Sequence, residues 1–127
     1  MNKFQELQEK YPTVNDENVT ELLRDNGIED INDYLVFADE EDKEHFKETY
    51  HILQDQNTVE LILDDINLIG QTIDGEYLLS DGHGILLSDV SFDKNMVERF
   101  EGMKPLQFLS DYVEGQIHSN VLAPVEE

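Results

Sequence analysis

Residues 65–76, "DINLIGQTIDGE", place oxygen-bearing side chains at the spacing of a calcium loop: Asp65, Asn67 and Glu76 at positions one, three and twelve, with Gly70 at the tight turn. Position five is Ile69, which has no side-chain oxygen. Apolar residues alternate on both sides, where a calcium loop of this type needs a helix at each end. A hairpin explains Asp74-Gly75 without any ligand. Gly82-His83-Gly84 invites a phosphate cradle, but a cradle needs a helix N-terminus after its glycines, and "ILLSDV" follows instead. These glycines read as corners of a sheet.

The other candidate groups fare no better. Glu48-x-x-His51 has the spacing of half a di-iron bundle site, with no second copy in the chain. His45 and His51 are six residues apart, which does not bring them together on a helix as zinc ligands. Ser80, Ser88 and Ser91 lie in no nucleophile elbow. The chain has no cysteine, hence no thiolate nucleophile or disulfide. No constellation for catalysis, metal or cofactor emerges, and the chain is expected not to be an enzyme.

Charge is the dominant feature. Acidic residues outnumber basic ones 30 to 8, for a formal net charge of -22 over 127 residues. Such a charge repels nucleic-acid phosphates and anionic membrane surfaces and attracts basic proteins. The acids concentrate in "IEDINDY" and "ADEEDKEHFKE", so Glu29, Asp30, Asp33, Asp39, Glu40, Glu41, Asp42 and Glu44 form the candidate partner-binding surface. Acids in the first turn of a helix also complement its dipole, which accounts for Asp39 to Asp42 but not for the imbalance along the whole chain. The N-terminal "MNKFQELQEKYP" lacks the apolar run of a signal peptide, and a cytoplasmic location is expected.

The elements that must position these residues follow from periodicity. Phe4, Leu7 and Tyr11 mark one face of an opening helix that ends before Pro12. A second helix is expected in "VNDENVTELLRDNG", capped by Asn15, stapled by Val14 and Val19, and stopped by Asn26-Gly27. Residues 28–37 read both ways: Ile31 and Leu35 have helical spacing, while Val36 and Phe37 break it. Asp39 caps a helix with Phe46, Tyr50 and Leu53 on one face. "TVELIL" then alternates as a strand, Asp74-Gly75 closes a two-residue hairpin with both residues at positive φ, and "ILLSDV" supplies a further strand. Phe92, Met96 and Phe100 are spaced by four as in a helix, and Pro105 opens a last helix carrying Leu106, Leu109 and Val113. The expected fold is a single α+β domain over residues 1–127. An antiparallel sheet at about residues 58–90 is flanked by N-terminal and C-terminal helices, and residues 119–127 form a loose tail.

The stretch "LIGQTIDGEYLLSDGHGILLSD", with the closing helix "KPLQFLSDYVEG", resembles the SMI1/KNR4 (SUKH) superfamily of bacterial immunity proteins. "ELLRDNG" is similar to that family's early helix ending in Asn-Gly, here Asn26 and Gly27. The resemblance implies a protein without enzymatic activity that binds a cognate toxin, often a nuclease, and blocks it. The charge suits that role independently, because nucleases carry basic clefts for phosphates. The competing reading of the same charge is a phage-type DNA mimic that diverts DNA-binding enzymes.

Overall fold

The computed structural model describes residues 2–14, 18–55, 67–80, 84–88, 98–117, 119 and 122, with the side chains of 49–55 left out. Helix α1 (Lys3–Lys10) begins at a capping box: the Asn2 Oδ1 accepts the Gln5 amide at 2.9 Å, and the Asn2 amide donates to Gln5 Oε1 at 3.3 Å. Phe4 and Leu7 are buried, whereas Tyr11 falls past the helix end and is 38% exposed. Helix α2 (Val19–Asp25) starts later than expected; the cap position is Asn18, and Asn15 lies outside the described residues. Its end is the predicted one. Gly27 takes a φ of +75°, its amide donates to Arg24 O at 3.0 Å, and the Ile28 amide donates to Leu23 O at 2.9 Å. That pair of bonds is a Schellman motif, and Leu23 and Ile28 are both buried beside it.

Residues 28–37 resolve as a hairpin. Strand β1 (Asp30–Ile31) pairs with β2 (Leu35–Phe37) through a turn in which Asn32 and Asp33 hold φ of 55° and 56°. Asn and Asp tolerate this left-handed region better than other side chains. Helix α3 (Glu40–Asp55) follows, then β3 (Asn67–Thr72), β4 (Tyr77–Ser80), β5 (Gly84–Ser88), β6 (Glu98–Glu101) and helix α4 (Pro105–Val113). Among the described residues the strands form one antiparallel sheet in chain order, β1 to β6. The class is α+β with helices at both ends, as expected, but the sheet reaches beyond the expected 58–90 on both sides, to β1 and β2 before it and β6 after it. Phe100 sits in a strand rather than a helix; Phe92, Met96 and the "TVELIL" segment lie outside the described residues.

The hairpin at Asp74-Gly75 is present with a different turn. Only Gly75 has positive φ, at 97°, and its amide donates to Thr72 O at 3.0 Å while the Thr72 amide donates to Glu76 O at 2.9 Å. This is a three-residue loop in which Gly75 supplies the left-handed position. The Thr72 hydroxyl locks it, accepting from the Asp74 and Glu76 amides and donating to Glu76 Oε2 at 2.9 Å. With Asn67 and Gly70 in a strand and Glu76 bonded to Thr72, the hairpin reading replaces the calcium loop.

Alternation divides the sheet into two faces. On one, Leu35, Phe37, Ile69, Leu78, Ile85 and Leu87 join Phe4, Leu23, Phe108, Leu109 and Tyr112 from the helices α1, α2 and α4 in the main core. A bulge between Leu68 and Gly70 puts Ile69 on this face as the extra residue of β3. On the other face, Leu68, Leu79 and Leu86 form a buried row across β3, β4 and β5. The stretch from residue 119 is not wholly a loose tail: Ser119 bonds to Glu98, and Leu122 is 3% exposed within the main core.

Candidate protein-docking surface

Helix α3 lies against the second face of the sheet, and its placement is set at both ends of its first turn. Asp39 Oδ1 accepts the Asp42 amide at 2.8 Å, and the Asp39 amide donates to Asp42 Oδ2 at 3.2 Å, a reciprocal cap. Just before it, Arg24 Nη2 donates to Ala38 O at 2.8 Å, and the Ala38 amide donates to Ile69 O at 2.9 Å. One turn into the helix, the buried Phe46 ring meets the Tyr77 ring of β4 at 5.3 Å, tilted 58°.

Between this helix and the sheet runs a groove of about 430 Å³. Its helix wall is Glu41, Asp42, Glu44, His45 and Glu48, and its floor is Phe46, Leu68, Gln71 and Tyr77. Neither Lys43 nor Lys47 lines it, although both belong to the same helix. The acidic wall therefore faces an aromatic and amide floor, and among the described residues no lysine or arginine stands between them. Burial pushes the Tyr77 phenol above its usual value, so Tyr77 contributes a neutral ring and hydroxyl rather than further negative charge.

Of the acids singled out from the sequence, Glu41, Asp42 and Glu44 come together at this groove. Glu40 is exposed but outside it, and Asp39 is committed to the helix cap. Glu29, Asp30 and Asp33 sit at the β1–β2 hairpin instead. Asp30 Oδ2 accepts the Asp33 amide at 2.6 Å and so holds the turn. Asp30 nevertheless shares a cross-strand row with Val36, Gln71 and Tyr77 on the groove's own face. Glu48 and His45 were missing from the sequence-derived surface; their signal was the four- and seven-residue spacing from Glu41. Gln71 and Tyr77 had no such signal, because only the register of β3 and β4 places them opposite one another.

The remaining candidates separate. Ser80 and Ser88 are buried within strands, and Gly84 is strand rather than cradle. Gly82, His83, Ser91 and the side chain of His51 lie outside the described residues. Among the described residues no group of His, Asp and Glu is disposed to hold a metal ion, and no helix is long and apolar enough to cross a membrane. No protein-family model, curated protein or solved structure matches the chain.

Asp39 gives a test of the helix placement. The Asp42 amide holds its carboxyl below the ordinary value against the opposing effect of desolvation, with the Asp42 side chain and Arg24 contributing less. A depressed folded-state value means that the stabilisation is complete above the ordinary carboxylate value and is lost as pH falls through the lower one. Asp39→Ala is expected to lower the melting temperature at neutral pH. Asp39→Asn, an equally good cap, should nearly preserve it while flattening the acid limb of the stability profile measured by circular dichroism.

Proposed function

We propose that the chain is a non-catalytic acidic inhibitor domain, an immunity protein that occludes the basic surface of a nuclease-type toxin in the cytoplasm. The observation that carries this reading is the α3 groove, where carboxylates of one helix face line a surface that, among the described residues, no lysine or arginine enters. The net charge of -22 adds long-range attraction, which speeds encounter with a basic partner and orients it. The resemblance of residues 68–89 and 104–115 to the SMI1/KNR4 (SUKH) superfamily points to the same class of partner.

Affinity capture from the native host, followed by assay of the captured protein, tests this. A single basic protein should be retained at about 0.1 M salt and released at about 1 M, where the screening length falls from about 10 Å to about 3 Å. Its nuclease activity should fall to zero at one equivalent of inhibitor. Converting Glu40, Glu41, Glu44 and Glu48 to glutamine should weaken inhibition at least about tenfold, a loss of about 1.4 kcal/mol. Asp39 and Asp42 are kept, because changing them would disturb the cap as well as the charge. Capture of several unrelated DNA-binding proteins would replace this reading with DNA mimicry. Inhibition untouched by the four substitutions would remove α3 from the interface.

A further inference from the structure

The groove is continuous with an open strip of sheet. Val36 is 43% exposed on the same cross-strand row as Gln71, which itself lines the groove beside Tyr77. Ile73, 70% exposed, stands one residue beyond β3 at the tip of the β3–β4 hairpin. Among the described residues most exposed side chains are charged. Two open aliphatic residues next to a half-buried aromatic ring and an acidic wall are therefore a distinct kind of surface.

From this juxtaposition we propose that the groove anchors a single arginine of the partner, with an adjoining aliphatic side chain of the same partner segment resting on Val36 and Ile73. The occupant is set by charge complementarity and shape together. A guanidinium can lie over the Tyr77 ring while its edges donate to the carboxylates of Glu41, Glu44 and Glu48. An ammonium has no flat face for the ring and meets carboxylates as a point charge, so lysine is the weaker fit. An acidic segment is repelled. A second copy of this chain is a poor occupant, since its acidic residues outnumber its basic ones 30 to 8. The proposal rests on the inhibitor reading and narrows it from a basic surface to one anchoring side chain.

The test uses the full chain, nitrogen-15 labelled, and the probe acetyl-Leu-Arg-Leu-amide at about 0.1 M salt. Amide shifts are expected along residues 41–48 and at Val36, Leu68, Gln71 and Tyr77. The same peptide with citrulline in place of arginine keeps the shape and removes the charge, and should bind at least tenfold more weakly; the lysine peptide should fall between. Glu41→Gln, Glu44→Gln and Glu48→Gln together should cost the arginine peptide at least tenfold in affinity. The matched set Glu9→Gln, Glu21→Gln and Glu101→Gln, exposed sites away from the groove, should cost less than twofold. Val36→Thr with Ile73→Ser, both at exposed positions, should weaken binding severalfold without altering the charge. Equal losses in the two glutamine sets, equal binding of the citrulline peptide, or shifts centred elsewhere would overturn the anchor. So would concentration-dependent broadening of the same residues without peptide, which would mark self-association. Failure here with stoichiometric inhibition of the captured nuclease intact removes the anchor and leaves the inhibitor standing; loss of that inhibition removes the inhibitor itself.

Discussion

Phe108→Ala is expected to remove a large share of the protein's stability. Phe108 is fully buried where α4 crosses the sheet. Its ring meets Phe100 of β6 edge-on at 5.4 Å and stacks on Tyr112 at 6.2 Å, so one side chain ties the last helix both to itself and to the last strand. Truncating such a phenylalanine costs about 3–5 kcal/mol, the sum of lost transfer energy and the cavity left behind. A domain of this size has only about 5–15 kcal/mol in total. At roughly 4 °C per kcal/mol, the melting temperature should drop by roughly 12–20 °C. Phe108→Leu, which refills much of the space, should cost under about 1.5 kcal/mol. Urea unfolding followed by circular dichroism measures both. A loss below about 1 kcal/mol for the alanine variant would mean that α4 does not pack where it is described.

The neighbouring Tyr112 reports the same packing by its titration. Burial, with Tyr34 alongside, pushes its phenol up to about 12. That value belongs to a ring enclosed between helix and sheet, on the face opposite the groove. The main core and the α3 groove are thus separated by the thickness of the sheet, and damage to one is not automatically damage to the other.

How much of this was legible in the sequence depends on whether a signal is local. Asn26-Gly27 announced its Schellman end because a positive φ after a helix is a demand on one residue. Pro105 announced α4 because proline is pre-set for the first turn. Residues 28–37 stayed ambiguous for a physical reason. Ile31 and Leu35 are direct partners across the β1–β2 turn, and a tight hairpin brings together the same four-residue spacing that a helix does. The turn residues Asn32 and Asp33 carried the deciding signal, masked by the acidic run around them. Phe100 misled in the opposite way: "ERFE" has a single apolar residue, too few to show a period of two. The acids were visible, and Asp39 was legible as a cap, but which of the others meet at the groove was not. Asp39 and Asp30 accept from amides only three residues on, a local demand, whereas Glu41 and Glu44 reach the groove only through the packing of α3 on the sheet.

The sheet's own close approaches supply the second large effect. A Cβ built on Gly84 would lie 2.5 Å from Phe100 O and 2.9 Å from the Cα of Glu101. Both are backbone atoms of β6, which cannot swing aside as a side chain could. Gly84→Ala must therefore push β5 and β6 apart, at the upper end of the about 1–3 kcal/mol typical of overpacking. The same substitution at Gly70 meets Val36 O at 2.8 Å and Leu35 Cδ1 at 3.4 Å, and pushes β2 from β3. The two lesions are alike in kind but fall at opposite ends of the sheet. Gly84→Ala should lower the midpoint of urea unfolding while the folded protein binds the arginine peptide as before. Gly70→Ala, displacing Val36 from its place beside Gln71, should lower stability less and peptide affinity more. Equal affinities for the two folded variants would show that the strip from Tyr77 to Val36 is not where a partner is read.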